Sequence, residues 1–237
     1  MKTESISYTL LGKNYVGYLA RPDAGSKSAG VLIAGEGSGL GPQVKERAHQ
    51  LAELGYVAFA LDYLGDGEVL SGMPAMMERL GALRADLEHV RALGRAGLAQ
   101  LVAQPGVDAK RIAAIGYCFG GQLALELARS GAEIAATVGF HSTLAARDHE
   151  GAKKIRGNVL ACIGADDPLV PAEQRLAFEQ EMRAGNVDWR LYVYGGAKHG
   201  FANPLAAQSG SPAVAYDAVT HRRSWAEMLA LFAETIG

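Results

Sequence analysis

The segment from Ile112 to Gly121 restricts the fold of this chain more than any other part of the sequence. It reads IAAIGYCFGG, an apolar run that ends in a glycine-containing turn, and residues 122–129 continue with helical spacing. Gly116 and Gly120 stand two residues before and two residues after Cys118, where a Cβ atom would collide as the chain reverses. The pattern predicts a buried strand, a tight turn and a helix, with the Cys118 thiol held against a helix N-terminus that favours negative charge.

This arrangement is similar to the G-x-S-x-G nucleophile elbow of α/β-hydrolases, with cysteine in place of serine. Asp167 and His199 follow later in the chain, each on a loop directly after an apolar strand-like run, at 158–163 and 189–194. Nucleophile, acid and histidine in this order are typical of α/β-hydrolases. We therefore predict that Cys118 is the nucleophile, that His199 is the base, and that Asp167 orients the imidazole.

Other interpretations of these three residues remain open. Asp166 is an alternative acid, although Pro168 stiffens the turn after Asp167 and favours the latter. Cys118 and His199 could each be structural residues of a buried core. The order in which the three residue types occur argues against that reading.

The composition excludes several classes of protein. The chain has 237 residues, of which 49% are hydrophobic, and a net charge of −2, so no basic surface for nucleic acid is predicted. No long apolar stretch indicates a signal peptide or a membrane span. Cys162 lies within an apolar strand-like run, so we expect a buried structural thiol there, no disulfide with Cys118 and a cytoplasmic location. No metal or cofactor is expected.

Strand-like and helix-like segments alternate along the chain. This alternation predicts an α/β fold of the α/β-hydrolase type, with a mostly parallel central sheet covered by helices on both faces, in a single domain over 1–237. The predicted strands, after an opening hairpin at 7–11 and 15–20, are 30–34, 56–61, 112–117, 135–140, 158–163 and 189–194. The predicted helices are 44–54, 74–101 with breaks at Gly94 and Gly97, 122–129 and 213–235.

An oxyanion hole needs backbone N–H donors close to the nucleophile. The elbow supplies the N–H of Phe119, and the loop after strand 30–34 supplies a second, most simply that of Gly37. Glu36 precedes Gly37 in the segment GEGSG, and composition alone favours a solvated loop acid at this position.

The chain resembles the dienelactone hydrolase family over nearly its whole length. The resemblance is carried by the Glu36 loop, by the segments ALDYLGDG at 60–67 and GYCFGG at 116–121, by DPLVP at 167–171 and by HGF at 199–201. It implies hydrolysis of small esters or lactones, of the carboxymethylenebutenolidase type, through an acyl-cysteine intermediate. It also implies that Glu36 keeps the resting thiol neutral through a hydrogen bond and takes the thiol proton when substrate binds. Cys118 would then alkylate slowly in the free enzyme.

The sequence departs from the family in the region that binds substrate. The family places a carboxylate-binding arginine four residues after the histidine, where this chain has Asn203. Arg79 is a candidate to replace the lost charge and His141 a candidate to line the pocket, although a solvated arginine and a loop histidine are the alternatives. We therefore expect a small-molecule ester or lactone substrate without requiring it to be anionic. The oligomeric state is not predicted.

Small proteins that use a strand-end glutamate beside an elbow cysteine are similar in part but lack the late Asp and His, and three other rival functions remain. Class I glutamine amidotransferases share the cysteine elbow but need a carboxylate two residues after the histidine, where this chain has Phe201. A thioesterase of the same fold would use the same acyl-cysteine chemistry. A non-catalytic binding protein is the third, because fold alone does not fix function.

Overall fold

The computed structural model describes residues 1–23, 28–148 and 150–237. The strands are β1 (Lys2–Leu10), β2 (Lys13–Arg21), β3 (Ser28–Ala34), β4 (Val57–Leu61), β5 (Val107–Tyr117), β6 (Ala136–Phe140), β7 (Asn158–Gly164) and β8 (Trp189–Tyr194). The α-helices are α1 (Pro42–Glu53), α2 (Met73–Ala85), α3 (Leu87–Val102), α4 (Phe119–Arg129), α5 (Ala172–Ala184) and α6 (Ala218–Thr235). Short 3₁₀ helices lie at Gly151–Lys154 and Ala206–Ser209.

The strands form one sheet in the order β1-β2-β4-β3-β5-β6-β7-β8. The opening hairpin is antiparallel, and β2 pairs antiparallel with β4. All pairings from β4 through β3 to β8 are parallel. The predicted α/β fold with a mostly parallel sheet is therefore confirmed. Because parallel strands end at the same edge, the loops after β3, β5, β7 and β8 meet there.

Helices cover both faces of the sheet. Successive strand residues point to opposite faces, so Val31 and Ile33 of β3 pack with α1 and α6, whereas Leu32 packs on the other face with α3 and α4. A third cluster joins α5 to β7 through Phe178 and Met182. Burial on both faces explains why the central strands are continuously apolar.

The long helix predicted over 74–101 is in fact two helices, and the predicted position of the break was wrong. The chain breaks at Asp86, whose side chain caps α3 by accepting a hydrogen bond from the N–H of His89 at 2.9 Å. Gly94 and Gly97 lie inside α3 because α3 packs closely on its neighbours there. A Cβ on Gly97 would lie 2.9 Å from the Cβ of Leu61.

Other boundaries moved by a few residues. The closing helix begins at Ala218 rather than 213, where Asp217 caps it by accepting from the N–H of Thr220. No helix within 1–23, 28–148 or 150–237 combines the length and apolar character that crossing a membrane requires.

Candidate active site

Cys118 occupies a strained turn between β5 and α4. Its φ of 53° lies in the left-handed region that non-glycine residues rarely adopt. The flanking glycines allow this turn, since a Cβ on Gly116 would lie 2.1 Å from the carbonyl oxygen of Gly120. A Cβ on Gly120 would lie 2.2 Å from the carbonyl oxygen of Ala34 in the neighbouring strand. The elbow is therefore held by backbone packed directly against backbone.

Asp167 and His199 form a buried hydrogen-bonded pair. The Nδ1 atom of His199 lies 2.8 Å from Oδ2 of Asp167, and the other carboxylate oxygen accepts from the N–H of Leu169 at 2.9 Å. Asp167 is 3% exposed, whereas Asp166 points to solvent. Between the two candidate acids, the geometry therefore places Asp167 on the histidine.

The environment of His199 favours its protonated form. Burial lowers the pKa of His199, but the hydrogen bond that its imidazole donates to Asp167 and its interaction with Cys118 outweigh burial and raise the pKa to about 10. A protonated imidazole beside a cysteine is the charge arrangement that a thiolate nucleophile requires.

Glu36 reaches the same site from the loop after β3. Its Oε2 accepts a hydrogen bond from Nδ2 of Asn203 at 2.6 Å. Among the described residues its Oε1 has no hydrogen-bond partner, and the nearby Nε2 of His141 is 3.6 Å away. Burial raises the pKa of Glu36, against the opposing effects of Asn203, His199 and Arg47. The resemblance implied a hydrogen bond between Glu36 and the resting thiol, whereas in the structure Glu36 accepts its hydrogen bond from Asn203.

The predicted oxyanion donors lie beside the elbow. Phe119 is the first residue of α4, in the turn whose N–H groups have no intrahelical acceptor. Gly37 lines the cavity that contains Cys118. A Cβ on Gly37 would lie 2.9 Å from Leu80 of α2, so that helix packs directly over this loop.

A cavity of about 600 Å³ opens above these residues. Cys118, His199 and Glu36 contribute to its lining, together with α2 and the segment 200–214. This volume lies within the usual range for sites that bind small molecules.

Comparison with known proteins places the chain in a family. A model of the dienelactone hydrolase family matches residues 16–236. This chain belongs to the dienelactone hydrolase family.

Three relatives illustrate the membership. A Bradyrhizobium sp protein named "Probable 2-oxo-3-(5-oxofuran-2-ylidene)propanoate lactonase" is 26% identical over 230 residues, covering 88% of this chain and 92% of that protein. A solved structure named "m3DLH" is 46% identical with a TM-score of 0.96, covering 100% of this chain and 99% of its own. A dienelactone hydrolase-like promiscuous phosphotriesterase from metagenomic libraries is 39% identical, with the same TM-score and the same coverage.

The two remaining candidate residues lie away from the cavity. Arg79 pairs with Glu68 at 2.6 Å and does not line the cavity as the structure describes it. The arginine of α2 that does line it is Arg84. His141 is fully buried behind the site, with its ring stacked edge-to-face 5.2 Å from that of His199. Burial lowers the pKa of His141 well below its usual range, so its ring is neutral.

Asn203 is a site residue whose role sequence reasoning missed. The sequence marked it only as a missing arginine, whereas the structure pairs it with a carboxylate 167 positions earlier in the chain. Its position four residues after His199 was the one indication that Asn203 lies at the site, and that position did not indicate Glu36 as its hydrogen-bond partner.

The second cysteine is buried, as predicted. Cys162 is fully buried in β7, and burial raises its pKa to about 12. Both cysteines are free. Across the described part of the chain, no group of three or more His, Cys, Asp or Glu side chains is arranged to hold a metal ion.

Proposed function

We propose that this protein hydrolyses carboxylic esters or lactones through an acyl-cysteine intermediate on Cys118. The observation that carries the proposal is the elbow cysteine above the N-terminus of α4, beside a His199–Asp167 pair joined at 2.8 Å. The name of the lactonase relative and membership of the dienelactone hydrolase family support the same reaction class. We also propose that residues 1–237 form a single α/β-hydrolase domain. A catalytic thiol further favours a reducing, cytoplasmic location.

In the first half of the reaction, substrate binding turns Glu36 from Asn203 towards Cys118, and the thiol proton passes to its carboxylate. The sulfur attacks the acyl carbon, a C–S bond forms, and the carbonyl π electrons move to the oxygen. The N–H groups of Phe119 and Gly37 stabilise that oxyanion. When the intermediate collapses, the C–O bond breaks and the leaving alkoxide takes the proton of the His199 imidazolium.

In the second half, the neutral His199 takes a proton from water as its oxygen attacks the acyl carbon. Collapse breaks the C–S bond, the acid leaves, and the Cys118 sulfur recovers the proton held by Glu36. Asp167 keeps the imidazole in the correct tautomer throughout. The raised pKa of Glu36 suits a base that takes a proton from a thiol, because burial makes its carboxylate more basic.

Turnover of p-nitrophenyl acetate tests this proposal. We expect wild-type protein to hydrolyse it and Cys118→Ala to lose about 10³-fold or more of kcat/KM. Failure of the wild-type protein to turn over any activated ester or lactone would instead favour the non-catalytic binding protein.

A pair of variants separates the two bases. p-Nitrophenoxide leaves without an acid, so His199→Asn should acylate and then stall, giving a burst of one equivalent and an acetyl adduct in intact-protein mass spectra. Glu36→Gln should give slow release without a burst. A burst from the Glu36 variant and none from the His199 variant would assign thiol activation to His199.

A further inference from the structure

The wall of the cavity above Cys118 is chiefly apolar. Side chains from three separate segments contribute to it, among them Val44, Met73, Met76, Met77, Leu80 and Leu205. Burial of an apolar substrate group against such a wall contributes about fourfold in affinity for each methylene removed from water. The cavity should therefore bind substrates that carry an apolar group more tightly than substrates that lack one.

The charges at the cavity disfavour an anionic substrate. Glu36 places a carboxylate at its floor, and the amide N–H₂ of Asn203 already donates to that carboxylate. Among the described residues that line the cavity, Arg84 is the one lysine or arginine. Its Nε donates to Gln122 at 3.2 Å, and its guanidinium lies 5.5 Å from the centre of the Phe119 ring. The imidazolium of His199 also lines the cavity, but Asp167 balances its charge at 2.8 Å. A substrate carboxylate would thus approach the carboxylate of Glu36, while the guanidinium of Arg84 is directed to Gln122 and the Phe119 ring.

Three methionines of α2 contribute to this wall. Met73, Met76 and Met77 are spaced three and four residues apart, so they share one helical face. The sulfur of Met76 lies 3.7 Å from the position that a Cβ on Gly37 would take, so this side chain packs next to the residue proposed as an oxyanion donor. Met77 is 56% exposed, which leaves its side chain room to change rotamer. Unbranched, polarisable methionine side chains adapt to groups of different shape.

We propose that the preferred substrates are uncharged esters or lactones with an apolar group that packs on the methionine wall, defined as Met73, Met76 and Met77. This inference rests on the proposed ester or lactone hydrolysis, and the experiments below separate the two.

The first experiment isolates charge. 4-Acetoxybenzoate and its methyl ester differ by one carboxylate on the leaving group, and both release acetate. With each kcat/KM divided by the rate constant for uncatalysed hydrolysis of the same ester, which corrects for leaving-group acidity, we expect the methyl ester to be favoured about 10-fold or more, because like charges within a binding site are strongly disfavoured. A preference for the free acid that disappears in Arg84→Gln would overturn the proposal and leave ester hydrolysis intact.

The second experiment tests the methionine wall. Across p-nitrophenyl acetate, butanoate and hexanoate, we expect kcat/KM to rise about two- to fourfold per methylene. The double variant Met76→Gln/Met77→Gln keeps side-chain length but adds polarity, so the hexanoate-to-acetate ratio should fall towards one. Met76→Leu/Met77→Leu should restore the ratio.

Leu176→Ala provides the matched control. Leu176 is a 54% exposed apolar residue of α5 outside the cavity lining, so the chain-length ratio should stay at the wild-type value. A wild-type ratio at or below one, or a ratio unchanged in the glutamine variant, would contradict the methionine wall. Absence of turnover for every ester would contradict the proposed function itself.

Discussion

The floor and the roof of the cavity are built in opposite ways. At the floor, Gly116 and Gly120 bring backbone against backbone so closely that one added methyl group has no space. The roof is α2, whose buried residues are Leu80 and Leu83; its Met73 and Met77 are exposed and its Met76 is half-buried. The positions of the proposed reacting groups are therefore fixed by rigid backbone, whereas substrate contacts are left to a few flexible side chains. Changes to the floor should abolish function, and changes to the roof should tune it.

The largest expected difference compares one glycine from each region. Gly120→Ala places its Cβ 2.2 Å from backbone, which we expect to cost about 4 kcal/mol or more in the free energy of unfolding. Gly81→Ala in α2 meets nothing within 4 Å and should stabilise by about 0.5–1 kcal/mol. Urea denaturation followed by circular dichroism measures both. Equal effects of the two substitutions would remove the distinction between floor and roof.

The next difference compares two adjacent aspartates. Asp167→Asn should lower kcat by about 10²- to 10⁴-fold, because the amide no longer fixes the His199 tautomer. Asp166→Asn, at the exposed neighbouring position, should stay within about twofold of wild type. Steady-state kinetics with p-nitrophenyl acetate checks both. A reversed order would transfer the orienting role to Asp166.

At the floor of the cavity, substitution of Glu36 should change both the activity and the stability of the protein. Glu36→Gln should lose about 10²- to 10⁴-fold in activity as an acid–base group is removed. Burial raises the pKa of Glu36, so the folded protein is less stable when this carboxylate is ionised, and its free energy of unfolding falls as pH rises through the titration range. Glutamine cannot ionise, so the glutamine variant should be more heat-stable than wild type at pH 8. At pH 4 this advantage should shrink. Thermal denaturation at the two pH values checks the prediction, and a lower Tm for the variant at pH 8 would contradict it.

The smallest effect concerns the titration of His199. Its folded-state pKa of about 10 exceeds the unfolded value near 6.5, so its contribution to stability is complete below about pH 6.5 and is lost as pH rises to about 10. Cys118→Ser removes a partner that raises this pKa, so the pKa should fall and the slope of stability against pH should flatten. Histidine NMR titration reads the pKa directly. An unchanged value in the serine variant would mean that Cys118 does not interact with His199.

Local patterns in the sequence predicted the strands that lead to the candidate catalytic residues. The apolar-rich runs before Cys118, Asp167 and His199 are all strands. The end of β5 and all but the first residue of β7 are buried, whereas β8 is a partly exposed strand at the edge of the sheet. The break between α2 and α3 was placed wrongly, since glycine was read as a helix breaker where close packing against Leu61 requires it. Helix propensity is a weak signal that tertiary packing overrides.

The sequence alone determined the α/β architecture, the strained elbow and the order of the three proposed catalytic side chains, because glycine spacing and strand patterns act over short distances along the chain. Only the tertiary structure decided that Asn203 holds Glu36, that Arg84 rather than Arg79 lines the cavity, and that methionines form its roof. Those contacts join residues far apart in sequence, or depend on how a helix is rotated about its own axis when it packs on the rest of the protein. Such information exists only once the chain has packed.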